Sequence, residues 1–191
     1  MKDSVRPSPA SDSRSDGVID TDGGRGAVDR PVRLLHVDPD PYTTELLKAF
    51  SLRHADGVRV RSVNGFAEAV DAVETGVEVG GERVAVDCVV TEQRLPGGDG
   101  VALTELLRDA GYGVPVVFHT TCPSEDQEAA AFGAGADAYF EKRADRGRYD
   151  ALFDRVRALV AERREGGTVT DRAPESTPRT PGGGGTPRSE E

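Results

Sequence analysis

Tryptophan is absent from this 191-residue chain, methionine occurs once, aromatic residues make up 5% and cysteine occurs twice. So little cysteine excludes a disulfide-stapled scaffold, and neither Cys88 nor Cys122 belongs to a CxxC pair or another cluster with metal-ligand spacing. Cys88 lies inside an apolar run and reads as a small core hydrophobe. No apolar stretch has the length of a signal-peptide core or a membrane span. A cytoplasmic location with no membrane partner is therefore expected. Positive charge is also short, with 24 basic against 34 acidic residues and a net charge of −10. An acidic surface repels phosphate backbones and anionic lipid, which argues against a nucleic-acid partner. Lysine is rare among the basic residues, a bias that suits a protein soluble in high salt and also follows from a genome rich in G and C.

Apolar residues are scarce in two flanks. Residues 1–30 are rich in Ser, Asp, Gly and Pro, and residues 166–191 read GGTVTDRAPESTPRTPGGGGTPRSEE. Neither can bury enough apolar surface to offset the entropy of ordering, so both are expected to be disordered tails around a single domain over residues 31–165. Each flank is close to neutral (5 basic and 6 acidic residues in 1–30, 3 and 4 in 166–191), which leaves most of the negative charge on the domain.

Within that domain, apolar runs of strand length alternate with helical patterns. VRLLHV (Val32–Val37) ends in acidic residues and prolines, as a buried strand would. Tyr42 to Leu52 places Leu46, Leu47, Phe50 and Leu52 on one helical face, and VRVRSV (Val58–Val63) alternates as a strand. Phe66 to Val73 predicts a helix with Ala69, Val70 and Val73 inward, followed by a loop from Gly76 to Arg83. VAVDCVVT (Val84–Thr91) reads as the most deeply buried strand, RLPGGDG (Arg94–Gly100) as a loop and Val101–Asp109 as a helix. VPVVFHT (Val114–Thr120) is a fourth strand. Ser124 suits a helix N-cap, with Glu125 and Asp126 favourable to the dipole, and that helix runs to Phe132. Ala138–Glu141 is a fifth strand, and Tyr149–Arg163 a long helix with Leu152, Val156, Leu159 and Val160 inward. Strands and helices in alternation specify an α/β fold, a doubly wound five-stranded parallel sheet covered on both faces.

In such sheets the working site lies beyond the C-terminal strand ends. The first strand ends in Asp38-Pro39-Asp40-Pro41, the third in Thr91-Glu92-Gln93, the fourth in His119-Thr120-Thr121 and the fifth in Glu141-Lys142-Arg143. One edge thus gathers carboxylates, a hydroxyl and a lysine. Carboxylates can hold a hard divalent cation, while a hydroxyl and an ammonium can grip phosphoryl oxygens. Any one of these residues would also fit a solvated loop, but together they point to a functional site.

From VRLLHVDPDP to the last helix, this arrangement resembles the receiver (response regulator) domain of two-component phosphorelay signalling. The likeness is carried by the acidic end of strand one, RLPGGDG after strand three, the hydroxyl ending PVVFHT, and GADAYFEK before the last helix. It implies a flavodoxin-like strand order 2-1-3-4-5 and a signalling module rather than an enzyme. The family's metal-binding acidic pair falls on Asp38 and Pro39, so only Asp38, with Asp40 next along, is available, and Mg2+ binding is expected to be weak. The phosphoacceptor position falls on Glu92, the switch hydroxyl on Thr120, the switch aromatic on Tyr139 and the phosphate-gripping lysine on Lys142. Arg143 stands where the family has a proline after that lysine. The resemblance implies a sensor histidine kinase or another signalling protein as partner. The reading favoured on these residues is an atypical receiver, acting by protein contact, with a longer carboxylate that could reach Lys142.

Two other readings fit parts of the sequence. A conventional, phosphorylatable receiver would use Glu92 or a nearby aspartate. Asp87 lies at the opposite end of its strand, however, and Asp99 is expected to make a turn with Gly100. A haloacid-dehalogenase-like phosphatase would use Asp38 and Asp40 as its DxD pair, with Thr120 and Lys142 in support. It leaves RLPGGDG unexplained, and the chain offers no late acidic pair for magnesium. His36 and His119 are expected to be structural, His119 facing away from the Thr120 hydroxyl.

Overall fold

Runs of β-branched residues separated by amphipathic segments set the order of elements. The computed structural model describes residues 30–79, 81–121, 123–143 and 147–167. In chain order these form β1 (Val32–Val37), α1 (Pro41–His54), β2 (Val58–Val63), α2 (Phe66–Thr75), β3 (Val77–Val79), β4 (Glu82–Val84) and β5 (Cys88–Thr91). They continue as β6 (Arg94–Leu95), β7 (Gly98–Asp99), α3 (Gly100–Asp109), β8 (Val116–Thr120), α4 (Glu125–Gly133), β9 (Ala138–Glu141) and α5 (Arg148–Gly167). The main sheet has five strands in the order β2-β1-β5-β8-β9, all paired in parallel. Counted along the chain among the members of that sheet, the order is the expected 2-1-3-4-5. The expected tails lie outside the described residues, apart from Arg30 and the end of α5, which runs to Gly167.

Successive strand residues point to opposite faces, so the sheet builds two cores. Leu34, Cys88, Val90 and Val117 pack with Leu47 of α1 and with Leu152, Phe153 and Val156 of α5. Leu35, Val37, Val89, Val116 and Phe118 pack on the other face with Ala69, Val73, Leu103, Leu107 and Ala131 from α2, α3 and α4. Ser124 caps α4, accepting from the Gln127 N–H at 3.2 Å.

Several local expectations need correction. Gly76–Arg83 is not a loop: β3 and β4 form an antiparallel hairpin with Val77 opposite Val84. Val84 therefore belongs to the hairpin, and the central strand begins only at Cys88. Asp87, just before it, has its carboxylate on the Arg33 side chain and N–H, which ends the apolar run as a strand. Leu52 points to solvent at 80% exposure, since the face of α1 that meets the sheet is centred on Leu47. RLPGGDG contains a two-residue antiparallel pair, β6 with β7. Asp99 is the N-cap of α3, accepting from the Ala102 N–H at 2.8 Å. The glycines of this segment have separate reasons. Gly97 has φ +83°, which suits a residue without Cβ, and a Cβ on Gly100 would lie 2.7 Å from both the Glu92 carbonyl and the Phe118 ring.

Candidate functional site

At the C-terminal edge of the sheet the chain ends of β1, β5, β8 and β9 converge. The Lys142 ammonium lies 2.6 Å from Asp38 Oδ2 and 2.5 Å from Glu92 Oε2, bridging two carboxylates from different strands. All three side chains are buried, with exposures of 7%, 1% and 8% for Lys142, Asp38 and Glu92. β9 places the lysine, because the Lys142 N–H donates to the Thr120 carbonyl at 2.7 Å and extends the parallel ladder by one residue.

Glu92 is held at both oxygens. Its Oε1 accepts from the Gln93 N–H at 2.7 Å, and Oε2 accepts from the Thr121 N–H at 3.3 Å as well as from Lys142. Asp38 is equally engaged. Oδ1 accepts from the Asp40 N–H at 2.9 Å, and Oδ2 faces Lys142 and, at 3.5 Å, His36 Nε2. Burial pushes the Asp38 carboxyl up, but hydrogen bonds from His36, Lys142 and the Asp40 N–H, with the Lys142 charge, outweigh it and hold the group below its ordinary value. Asp40 serves α1 as its N-cap, accepting from the Tyr42 N–H at 3.0 Å and the Thr43 hydroxyl at 2.7 Å, with Pro41 opening the helix. These contacts, the Thr43 hydroxyl first, lower its pKa.

Thr120 is fully buried, and with Thr121, Glu92, Lys142 and Pro39 it lines a small cavity of about 300 Å³. Tyr139 is half-buried against the α2–α4 face, stacked on Phe118 with ring centroids 5.7 Å apart. Lys142 thus contacts both Asp38 and Glu92, Thr120 lines the cavity with Glu92 and Lys142, and Tyr139 stacks on Phe118, which shares a sheet face with Thr120. His119 packs edge-on against Tyr149 at 5.7 Å, on the other side from the cavity. Two contributors were not foreseen in the sequence, the Thr121 N–H and the His36 imidazole. For His36 a signal was available, since a residue two before Asp38 on a strand shares its face.

Pro39 offers no side-chain ligand, both Asp40 oxygens accept hydrogen bonds of the helix cap, and the single Lys142 ammonium is shared between the Asp38 and Glu92 carboxylates. Among the described residues no three His, Cys, Asp or Glu side chains form a group able to hold a metal ion. No described helix is long and apolar enough to cross a membrane.

Comparison with known proteins identifies the family and the fold. Residues 34–154 match the family model described as the response regulator receiver domain. The chain is 35% identical over 146 residues to the transcriptional activator protein PfeR of Pseudomonas aeruginosa, covering 73% of this chain and 44% of that protein. It is also 35% identical over 128 residues to the transcriptional regulatory protein TcrA of Mycobacterium tuberculosis, covering 67% of this chain and 46% of that one. The chain thus spans about half the length of the curated relatives it matches. Among solved structures, the receiver domain of the Francisella response regulator 1452 superposes with a TM-score of 0.58 at 21% identity, covering 69% of this chain and 98% of that one. A CheY-like receiver domain protein from Methanospirillum hungatei gives 0.59 at 20% identity, covering 71% and 98%. These two likenesses show the fold. The chain belongs to the response regulator receiver family.

Proposed function

We propose that this receiver is atypical: Glu92 stands at the phosphoacceptor position, and the domain signals through protein contact without ordinary phosphorylation. The observation that carries the reading is the buried bridge from Lys142 to Asp38 and Glu92. Phosphoryl transfer needs in-line placement and charge neutralisation. Glu92 is one methylene longer than aspartate, which displaces its carboxylate by about 1.5 Å, and errors of about 1 Å can cost 100-fold. The longer side chain instead brings its own negative charge to Lys142, next to the Thr120 cavity. A sensor histidine kinase or another signalling protein is the partner on this reading. The transcriptional roles named for PfeR and TcrA belong to longer proteins, and regulation through a DNA-binding partner is one form such contact can take.

Glu92→Gln tests the proposal at nearly constant shape. Loss of the charge should move the NMR signals of Thr120, Tyr139 and Lys142 together. If all three stay in place, Glu92 does not set the state of the domain and the proposal fails. Divalent binding is expected to be weak, with millimolar or poorer affinity for Mg2+ in a titration that saturates an ordinary receiver. Under the same conditions acetyl phosphate should leave the intact mass unchanged. A tight, stoichiometric Mg2+ site with a phosphoryl adduct would restore the conventional reading.

A further inference from the structure

The other notable surface lies at the opposite side of the sheet. Among the described residues β2 is an outer strand, paired only with β1, so its second row of backbone N–H and C=O groups faces away from the sheet. A groove of about 900 Å³ runs there, lined by the end of β2 from Arg61 to Asn64, by one side of α2 and by the β3–β4 hairpin. Arg59 and Arg61 are exposed and occupy alternate positions of the strand, so they share a face about 6.6 Å apart. Among the described residues neither makes an ion pair. Arg83, held by the Thr75 hydroxyl at 2.7 Å, adds a guanidinium at the hairpin end. Arg59 and Arg61 are thus two exposed cations without an ion pair, side by side on one face of the edge strand, in a chain of net charge −10.

We propose that the β2 edge accepts an extended segment of a partner protein by strand addition, with acidic side chains at alternate positions set against Arg59 and Arg61. Main-chain hydrogen bonds supply affinity in such additions, and the alternating side chains supply selectivity. The charge pattern also argues against a second copy of this chain. Two β2 strands paired about a two-fold axis would set arginine opposite arginine, a destabilising arrangement that edge strands use to prevent self-pairing. The far wall is acidic: Asp71 and Glu78 line it, while Glu68 accepts from the Asn64 N–H at 2.9 Å.

The test uses the full chain and two end-capped synthetic peptides, Thr-Glu-Val-Glu-Val-Glu-Thr and its lysine counterpart, followed by residue-resolved NMR. The acidic peptide should shift the amides of β2 and slow their exchange, and the lysine peptide should not. Arg59→Glu with Arg61→Glu should weaken the acidic peptide by about tenfold or more and admit the lysine peptide. Should that double variant fail to fold, Arg59→Gln with Arg61→Gln provides the same comparison with a smaller loss. Equal binding of both peptides, shifts confined to other elements, or wild-type affinity in the glutamine variant would overturn the proposal. A concentration-dependent dimer with β2 shifts in the absence of peptide would overturn it in favour of self-pairing.

Discussion

Lys142→Ala is expected to destabilise the domain by about 3–5 kcal/mol at neutral pH, as measured by denaturant unfolding. The variant strands two carboxylates, Asp38 and Glu92, that are 1% and 8% exposed and share one cation. The pH dependence should change with it. In the wild type the Asp38 carboxyl lies below its ordinary value of 3.8, so its stabilising contribution is complete above that value and is lost as the pH falls through the lower folded-state value. In Lys142→Ala, burial is no longer offset by the ammonium, the carboxyl should rise, and the deficit relative to wild type should shrink on acidification. Adding Glu92→Gln to Lys142→Met should recover part of the loss, because the uncompensated charge is halved. A loss below about 1 kcal/mol in Lys142→Ala would mean that the bridge behaves like an exposed pair.

The second large effect is expected at the other end of the sheet. Asp87→Ala should cost about 3 kcal/mol, since the remaining Arg33 guanidinium is nearly as buried as its partner. Asp87 accepts from the Arg33 N–H at 2.9 Å, from Nε at 2.7 Å and from Nη2 at 2.9 Å, with Arg164 at 3.4 Å and Arg30 at 3.6 Å. Burial works to raise its pKa, but the Arg33 hydrogen bonds and the Arg33 and Arg164 charges prevail and lower it. Its contribution is thus present above 3.8 and lost as the pH falls through the folded-state value, so wild type and variant should converge in strong acid. Thermal unfolding across that range checks the convergence. Asp87→Asn should retain part of the stability, because it can still accept from the Arg33 N–H.

The sheet was legible because its signal is local. Each run such as VRLLHV or VRVRSV declares a strand by itself, and alternation with helices then limits the possible orders. The hairpin was harder to read, although Gly80-Gly81 between Val77-Glu78-Val79 and Glu82-Arg83-Val84 has the form of a turn between strands. It was hidden by the continuous apolar run after it, which periodicity alone joins to the central strand. Asp40 before Pro41 was likewise an N-cap signal competing with a metal-ligand reading, and its contacts are those of a cap. Arg108 shows what spacing cannot supply. Its guanidinium donates to the Tyr112, Val114 and Gly135 carbonyls and meets Asp137, 29 residues further along the chain. The proximity of Asp38, Glu92 and Lys142 followed from the topology and the family likeness, whereas the bridge itself depends on side-chain length and burial.

The same bridge links parts of the chain that fold far from one another. Lys142 meets a residue 104 positions earlier and another 50 positions earlier. It follows β9, which among the described residues is an outer strand paired with β8 alone and is followed by α5. A terminal strand and helix of this kind can open as a cooperative unit at a free energy below that of global unfolding. Here it must also withdraw the cation from two buried carboxylates, which raises its free energy toward that of global unfolding. Native-state hydrogen exchange should therefore show the Lys142 amide opening together with the β1 and β5 amides rather than ahead of them. In Lys142→Met the C-terminal unit should separate as its own, less protected cooperative block.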